Sequence, residues 1–243
     1  METKSCAMMR ADALADLFEI VRLGLLLPQP VLADGMVAGT LIGDVHSIAN
    51  DFDIDMAGLK EWEDDARAEA AALDSERMLH IMRYDYDRLF THPNNAKAPI
   101  YESLFLFRQS GGEGNPPALF LNPVAGNARR HYEAAGFDRV DDGGFNVSPD
   151  HMALEVEFTA HLLRAVGQSG GITDPLERRA VADELSLFWN EHLNCWMPAF
   201  FACVESAAST AFYRYIAAVV RLLVLRTGLT PRDVAEAVSA DMR

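Results

Sequence analysis

Apolar residues recur along this chain at helical spacing from end to end, and the alternating pattern that marks a strand is almost missing. Between Met9 and Leu27, Leu14, Leu17, Phe18, Val21 and Leu25 follow that spacing, and Pro28 and Pro30 close the segment. Val31 to Ile48 reads as a second apolar helix, with Gly35, Gly39 and Gly43 four apart so that a neighbouring helix can approach closely. Asp74 or Ser75 caps a helix through Met78, Ile81, Met82, Tyr84, Tyr86, Leu89 and Phe90, which stops near Pro93-Asn94-Asn95. Another helix spans about Val124 to Ala135, with Gly136 at its C-terminal end. Ser148-Pro149-Asp150-His151 opens the next. Pro149 suits a helix entrance, Ser148 or Asp150 can cap the first turn, and Met152, Val156, Leu162 and Leu163 continue the apolar stripe. Asp174-Pro175 begins a helix to about His192, and Pro198 restarts the chain. Phe200–Ala207, Ala211–Leu225 and a short helix after Thr230-Pro231 follow. The pattern predicts an all-α bundle of about ten helices, one domain over residues 1–243.

Two stretches interrupt the helical pattern. Gln109 to Pro117 is rich in Gly, Ser and Pro and reads as a hinge or flexible loop; Asp138 to Val147 is a second loop. A mobile hinge permits helices to be exchanged between copies, so a monomer and a helix-exchanged dimer both fit the sequence.

Composition narrows the class. Half of the 243 residues are hydrophobic and 23% are charged, the balance of an ordinary globular protein. Cys6, Cys195 and Cys203 form no CxxC pair and no metal-ligand spacing, which points to reduced thiols and a cytoplasmic location. No apolar run reaches the roughly 18 residues of a membrane span, and Met1-Glu2-Thr3-Lys4 is not followed by the apolar core of a secretory signal. The expectation is a cytoplasmic protein that does not insert into membranes.

Charge adds a partner class. A net charge of −15 repels nucleic acid and anionic lipid and attracts basic partners. The acid is concentrated at Asp51, Asp53, Asp55, Glu61, Glu63, Asp64, Asp65, Glu69, Asp74 and Glu76. Asp51 to Asp55 lacks the central Gly and the closing Glu of a calcium loop. The segment reads as a solvated helix face that can also guide a basic peptide.

Candidate chemistry centres on the helix opened by Pro149. His151 and Glu155 lie four apart and share a face, while Glu157 points elsewhere. His161 falls roughly 280° around the helix from His151, so the two histidines are not a helical metal pair. Asp150 and His151 could form an acid–base pair, yet no nucleophile or oxyanion device accompanies them, and P-loop, GxSxG and HExxH signatures are absent. Three classes stay open on the residues alone. They are a binding protein without catalysis, a metal- or nucleotide-dependent helical enzyme around Asp150, His151 and Glu155, and a scaffold subunit.

Three segments, in order, resemble the TorD/DmsD family of molybdoenzyme maturation chaperones. The first is Tyr84-Asp85-Tyr86-Asp87-Arg88-Leu89-Phe90 followed by Pro99-Ile100-Tyr101-Glu102-Ser103. The second is Pro149-Asp150-His151 with Leu154-Glu155-Val156-Glu157-Phe158, and the third is His192-Leu193 with Trp196 and Pro198, then Phe212-Tyr213. Arg129, His131 and Tyr132 also fit; Thr91-His92-Pro93 and Pro99-Ile100-Tyr101 depart from the usual glycine-proline and proline-proline-tyrosine. The resemblance implies an all-α chaperone, not an enzyme, with no cofactor or metal of its own. Its partners would be an apo-molybdoenzyme catalytic subunit and that subunit's twin-arginine leader. The implied leader-binding residues are Tyr86, Leu89, Phe90, Tyr101, Glu102, Ser103, Asp150 and His151. Carboxylates such as Asp150 and Glu102 would meet the arginines, and Leu89, Phe90 and Tyr101 would line a groove for the apolar segment. Pro99, Pro149, Glu155, Glu157, His192 and Trp196 would hold the fold.

Overall fold

The structure, a computed structural model, describes residues 6–52, 54–92, 95–137, 147–168, 170–226 and 228–241. Asp53, Pro93, Asn94 and all but Val147 of the loop expected at Asp138–Val147 lie outside these. Twelve α-helices occur among the described residues: α1 (Cys6–Leu25), α2 (Pro30–Ala38), α3 (Thr40–Asp51), α4 (Lys60–Ala71), α5 (Ser75–Tyr86) and α6 (Glu102–Gln109), then α7 (Pro123–Ala134), α8 (Met152–Val166), α9 (Pro175–Glu191), α10 (Leu193–Ala207), α11 (Ala211–Val219) and α12 (Pro231–Asp241). The architecture is the expected all-α bundle.

One of the two helices beyond ten has a local cause. Gly39 adopts φ +75°, a left-handed conformation that ends α2 and lets α3 start at once. Gly35 and Gly43 stay inside their helices, so one glycine of the three is a break. Pro198 does not restart the chain. It sits exposed within α10, and the break falls at His192 (φ −120°, ψ −90°) between α9 and α10. Asp74 caps α5, Asn122 caps α7 and Asp174 caps α9, each accepting a hydrogen bond from a first-turn N–H.

The hydrophobic core gathers around α8, eleven of whose fifteen residues are buried. A helix apolar on most sides must be enclosed. Here α1, α9, α12 and α10 enclose it, while α2–α5 and α11 pack as a second group. Met152, Val156, Phe158, Leu162 and Leu163 are at most 2% exposed, each such burial contributing roughly 1.5–3 kcal/mol. Gly167 ends α8 where a Cβ would lie 2.3 Å from Asp12 Oδ1 of α1, so a side chain there would force Asp12 to shift. Two helices continue through a widened π turn, α5 into Asp87–Thr91 and α11 into Val220–Val224. The first brings Leu89 and Phe90 fully into the core. Among the described residues, no single helix is long and apolar enough to cross a membrane.

Candidate functional site

The segments Pro99–Ser103 and Ser148–Met152 lie side by side. Tyr101 and His151 form an isolated antiparallel bridge, the Glu102 N–H donates to the Asp150 carbonyl at 2.8 Å, and the Met152 N–H donates to the Ile100 carbonyl at 2.9 Å. Neither of the two caps the sequence offers for α8, Ser148 and Asp150, caps it. Asp150 Oδ2 accepts from the Ser103 N–H (3.2 Å) and hydroxyl (2.5 Å), and its Oδ1 accepts from the Ser148 hydroxyl. The carboxylate thus caps α6 from another part of the chain. His151 caps α8 instead, its Nδ1 accepting from the Ala153 N–H at 3.1 Å. The ring of Tyr101 packs edge-on against His151, and burial together with the charge of Asp150 pushes the Tyr101 hydroxyl pKa up. Tyr132 closes the turn by donating to the Pro149 carbonyl at 2.8 Å.

Beneath this turn runs a chain of polar groups. Glu155 is fully buried and accepts from Trp196 Nε1 at 2.9 Å. Burial, then the charge of Glu102, pushes the Glu155 carboxyl well above the usual range. Glu155, Glu102 and His192 bring polar atoms within 4.8 Å of one another, while Glu155 Oε1 makes no hydrogen bond among the described residues. His192 Nδ1 lies 2.7 Å from Glu102 Oε2, and its Nε2 lies 3.1 Å from Asn127 Oδ1. Asn127 Nδ2 donates to Glu191 Oε2 at 3.5 Å. His131 stands between two carboxylates, Nδ1 at 2.6 Å from Glu184 and Nε2 at 3.2 Å from Glu191. The chain therefore runs from the core at Trp196 to the surface at Glu191, through α8, α6, α10, α7 and α9. His192 enters it because the break between α9 and α10 turns its ring inward.

A second buried acid ties the first motif to the end of α10. Asp85 Oδ2 accepts from the backbone N–H groups of Ser209 and Thr210 and from the Thr210 hydroxyl, each at 2.9 Å. Its Oδ1 accepts from Arg88 Nη2 at 2.6 Å, and Arg88 also donates to the Ala207 carbonyl. Burial pulls the Asp85 carboxyl upward, but these donors outweigh it and hold its pKa below the usual value.

Of the sequence-predicted residues, Tyr101, Glu102, Ser103, Asp150, His151, Glu155, His192 and Trp196 come together. Pro99 and Pro149 are buried beside them. Tyr86 and Phe90 pack edge-to-face, and Phe90 stacks on Phe200, which reaches Phe105 and Trp196. Leu89 is buried. Glu157 is apart, facing Arg22 of α1 at 3.9 Å. Only Tyr101 of the eight candidate leader-binding residues is even partly exposed; the others are buried. Sequence reasoning missed Asn127, Glu184 and Glu191 and gave no role to His131 or Asp85. Their signal was the i, i+4 pair Asn127/His131 on α7 and the i, i+7 pair Glu184/Glu191 on α9.

The acidic stretch runs from the end of α3 through α4 into the first turn of α5. Glu61, Asp64 and Asp65 are exposed, while Glu63 is drawn in by His46 (2.7 Å) and Arg67 (2.8 Å), and Glu69 accepts from the Ala211 N–H at 3.0 Å. Nearby, Tyr84 is 67% exposed on α5. The stretch from Ser110 to Asn122 is non-helical, with Gly111, Gly112 and Gly114 at positive φ and Phe120 and Leu121 exposed. It touches the site where the Ser148 hydroxyl meets the Leu119 carbonyl.

Compared with known proteins, residues 53–202 match the family model described as nitrate reductase delta subunit. No curated protein matches the chain. The matched span holds every residue of the polar chain from Trp196 to Glu184 and all of the Asp150 turn.

Proposed function

The chain belongs to the nitrate reductase delta subunit family, a family of molybdoenzyme maturation chaperones, and from that premise we propose that it grips the twin-arginine leader of its client. It works in the cytoplasm, holds the apo catalytic subunit while cofactor is inserted and delays export until then. It carries out no catalytic step. The observation that supports this reading most is convergence: two motif segments far apart in sequence meet at Tyr101–Ser103 and Asp150, and His192 of the third reaches Glu102 there.

Binding follows from an opened form of this turn. Because Asp150 and Glu102 are buried, the leader reaches them when the Ser110–Asn122 segment lifts from Ser148. The arginines of the leader then replace Ser103 and Ser148 as partners of Asp150, in stronger charge-assisted bonds. The apolar part of the leader packs on Tyr101, Leu89 and Phe90, with Phe120 and Leu121 closing over it.

Calorimetric titration with twin-arginine leader peptides tests this, each against a twin-lysine control, at low and moderate salt, for the wild type and Asp150→Asn. Saturable binding weakened by salt, by twin-lysine and by Asp150→Asn is expected, with circular dichroism checking that the variant stays folded. Failure of every leader to bind overturns the leader mechanism and leaves recognition of the client's folded body.

A further inference from the structure

The outer end of the polar chain has the chemistry of a cation site. His131, Glu191 and His192 each place one ligand atom within 4.8 Å of the other two. His192 Nδ1 is already engaged by Glu102 at 2.7 Å and His131 Nδ1 by Glu184 at 2.6 Å. Both rings therefore keep their Nε2 atoms on the edge away from those two carboxylates. His131 Nε2 lies 3.2 Å from Glu191 Oε2, and His192 Nε2 lies 3.1 Å from Asn127 Oδ1, whose amide nitrogen is 3.5 Å from the same Glu191 oxygen. Ligands at ordinary zinc distances in a tetrahedron stand roughly 3.3 Å from one another. The two pairs of prospective ligand atoms among these, His131 Nε2 with Glu191 Oε2 at 3.2 Å and His192 Nε2 with Asn127 Oδ1 at 3.1 Å, stand close to that value.

The surroundings reinforce the assignment. A metal-bound histidine characteristically donates its other N–H to a carboxylate, which fixes the tautomer and raises the basicity of the ligand nitrogen. Here both histidines have that carboxylate in place, and Glu102 and His192 are almost completely buried. The cluster opens onto a surface cavity of about 340 Å³ lined by Asn127, Arg130, His131, Ala134, Glu184 and Glu191, which gives an ion a path of entry. Arg130 is the one lysine or arginine among these lining residues, against the two carboxylates Glu184 and Glu191, so the cavity retains negative charge. The inner set Glu102, Glu155 and His192 also brings ligand atoms within 4.8 Å, but it is wholly buried and its Glu155 already accepts from Trp196.

We propose that His131 Nε2, His192 Nε2 and Glu191 bind one divalent transition-metal ion of the zinc type. Asn127 or water takes the fourth position, and Glu102 and Glu184 act as positioning residues. The His₂-carboxylate donor set suits zinc, cobalt or nickel and disfavours magnesium and calcium, which prefer all-oxygen shells. The ion would crosslink α7 to the α9–α10 break. This site stands independently of leader binding.

The test is titration of the full chain, first stripped with a chelator, with Co²⁺ followed by visible absorption and with Zn²⁺ by competition. The wild type is expected to bind one equivalent with the intense absorption of a four-coordinate cobalt site. Exposed Glu191→Gln should weaken binding at least about tenfold and His131→Gln should abolish the spectrum. Glu184→Gln, which touches no metal, should weaken affinity roughly tenfold to a hundredfold while leaving the spectrum four-coordinate. No saturable binding by the wild type would overturn the site. So would binding unchanged in both Glu191→Gln and His131→Gln, since the ion would then sit on surface acids. Asp64→Asn on α4 serves as the control and should change nothing.

Discussion

Asp150 accepts two hydrogen bonds from Ser103, one from the backbone and one from the hydroxyl, so the residue that precedes His151 in the turn caps a helix 47 positions earlier. That relationship holds α6 against α8 and fixes where Glu102 can reach His192. Removing the carboxylate orphans buried donors on α6 and at Ser148. Asp150→Ala is expected to destabilise the fold by about 2–3 kcal/mol, and Ser103→Ala, which removes one donor, by about 1 kcal/mol. Urea unfolding of the two single variants and the double variant checks this. The double variant should fall short of the sum, because both changes break the same contact.

Glu155 gives a pH dependence of definite sign. Its folded-state pKa is raised above the ordinary 4.5 by burial and by Glu102. Below that ordinary value both folded and unfolded states carry the proton, and the contribution of the group to stability is complete. Above it the unfolded chain releases the proton while the fold retains it, so stability declines as pH rises toward the folded-state value. Glu155→Gln keeps the shape and the Trp196 contact but cannot ionise. Urea midpoints from pH 4.5 to pH 8 should fall less steeply for the variant than for the wild type. Parallel slopes would mean that Glu155 is ionised in the fold.

Asp85 has the opposite sign. Its pKa is lowered despite burial, because Thr210, Arg88 and Ser209 donate to it. Its contribution is present above the ordinary value of 3.8 and is lost as pH falls through the folded-state value. Asp85→Asn leaves Arg88 without its ion-pair partner and should cost on the order of 3 kcal/mol at neutral pH. The gap between variant and wild type should narrow in acid, which denaturant titration at neutral pH and near pH 3 would resolve.

Helix class, most helix starts and the core stripe of α8 were legible in the sequence because their causes are local. Asp74 and Asp174 cap the helices that immediately follow them, and spacing alone marks Met152, Val156 and Leu162 as one interior. Asp150 looked the same by position, yet its partners sit in α6, and no local rule reveals a cap supplied across the fold. The three glycines of α2 and α3 are equivalent in spacing; only the packing of α2 and α3 decides that Gly39 takes the positive φ. Asp85 was hidden in a stretch whose aromatics drew attention. Glu184 and Glu191 lie two turns apart on α9, and they join a network only because α7 presents Asn127 and His131 to them.

The exposed acids near the α4–α5 pair make a kinetic prediction that separates steering from contact. Glu61 and Asp65 on α4 and Glu76 on α5 are exposed, and Asp64 is tied to Lys60 at 2.9 Å. If these carboxylates guide a basic leader, they act at a distance and before docking, so they alter the association rate and leave dissociation alone. The triple variant Glu61→Gln, Asp65→Asn, Glu76→Gln should slow association roughly threefold to tenfold at low ionic strength. The difference should vanish near 1 M salt, where the screening length falls to about 3 Å. Folding stability should change little, since none of the three is buried. Stopped-flow mixing with a fluorescent leader peptide at several salt concentrations measures both rates. An increased dissociation rate would instead make α4 part of the contact surface, and would move the bound peptide away from the Asp150 turn toward Tyr84.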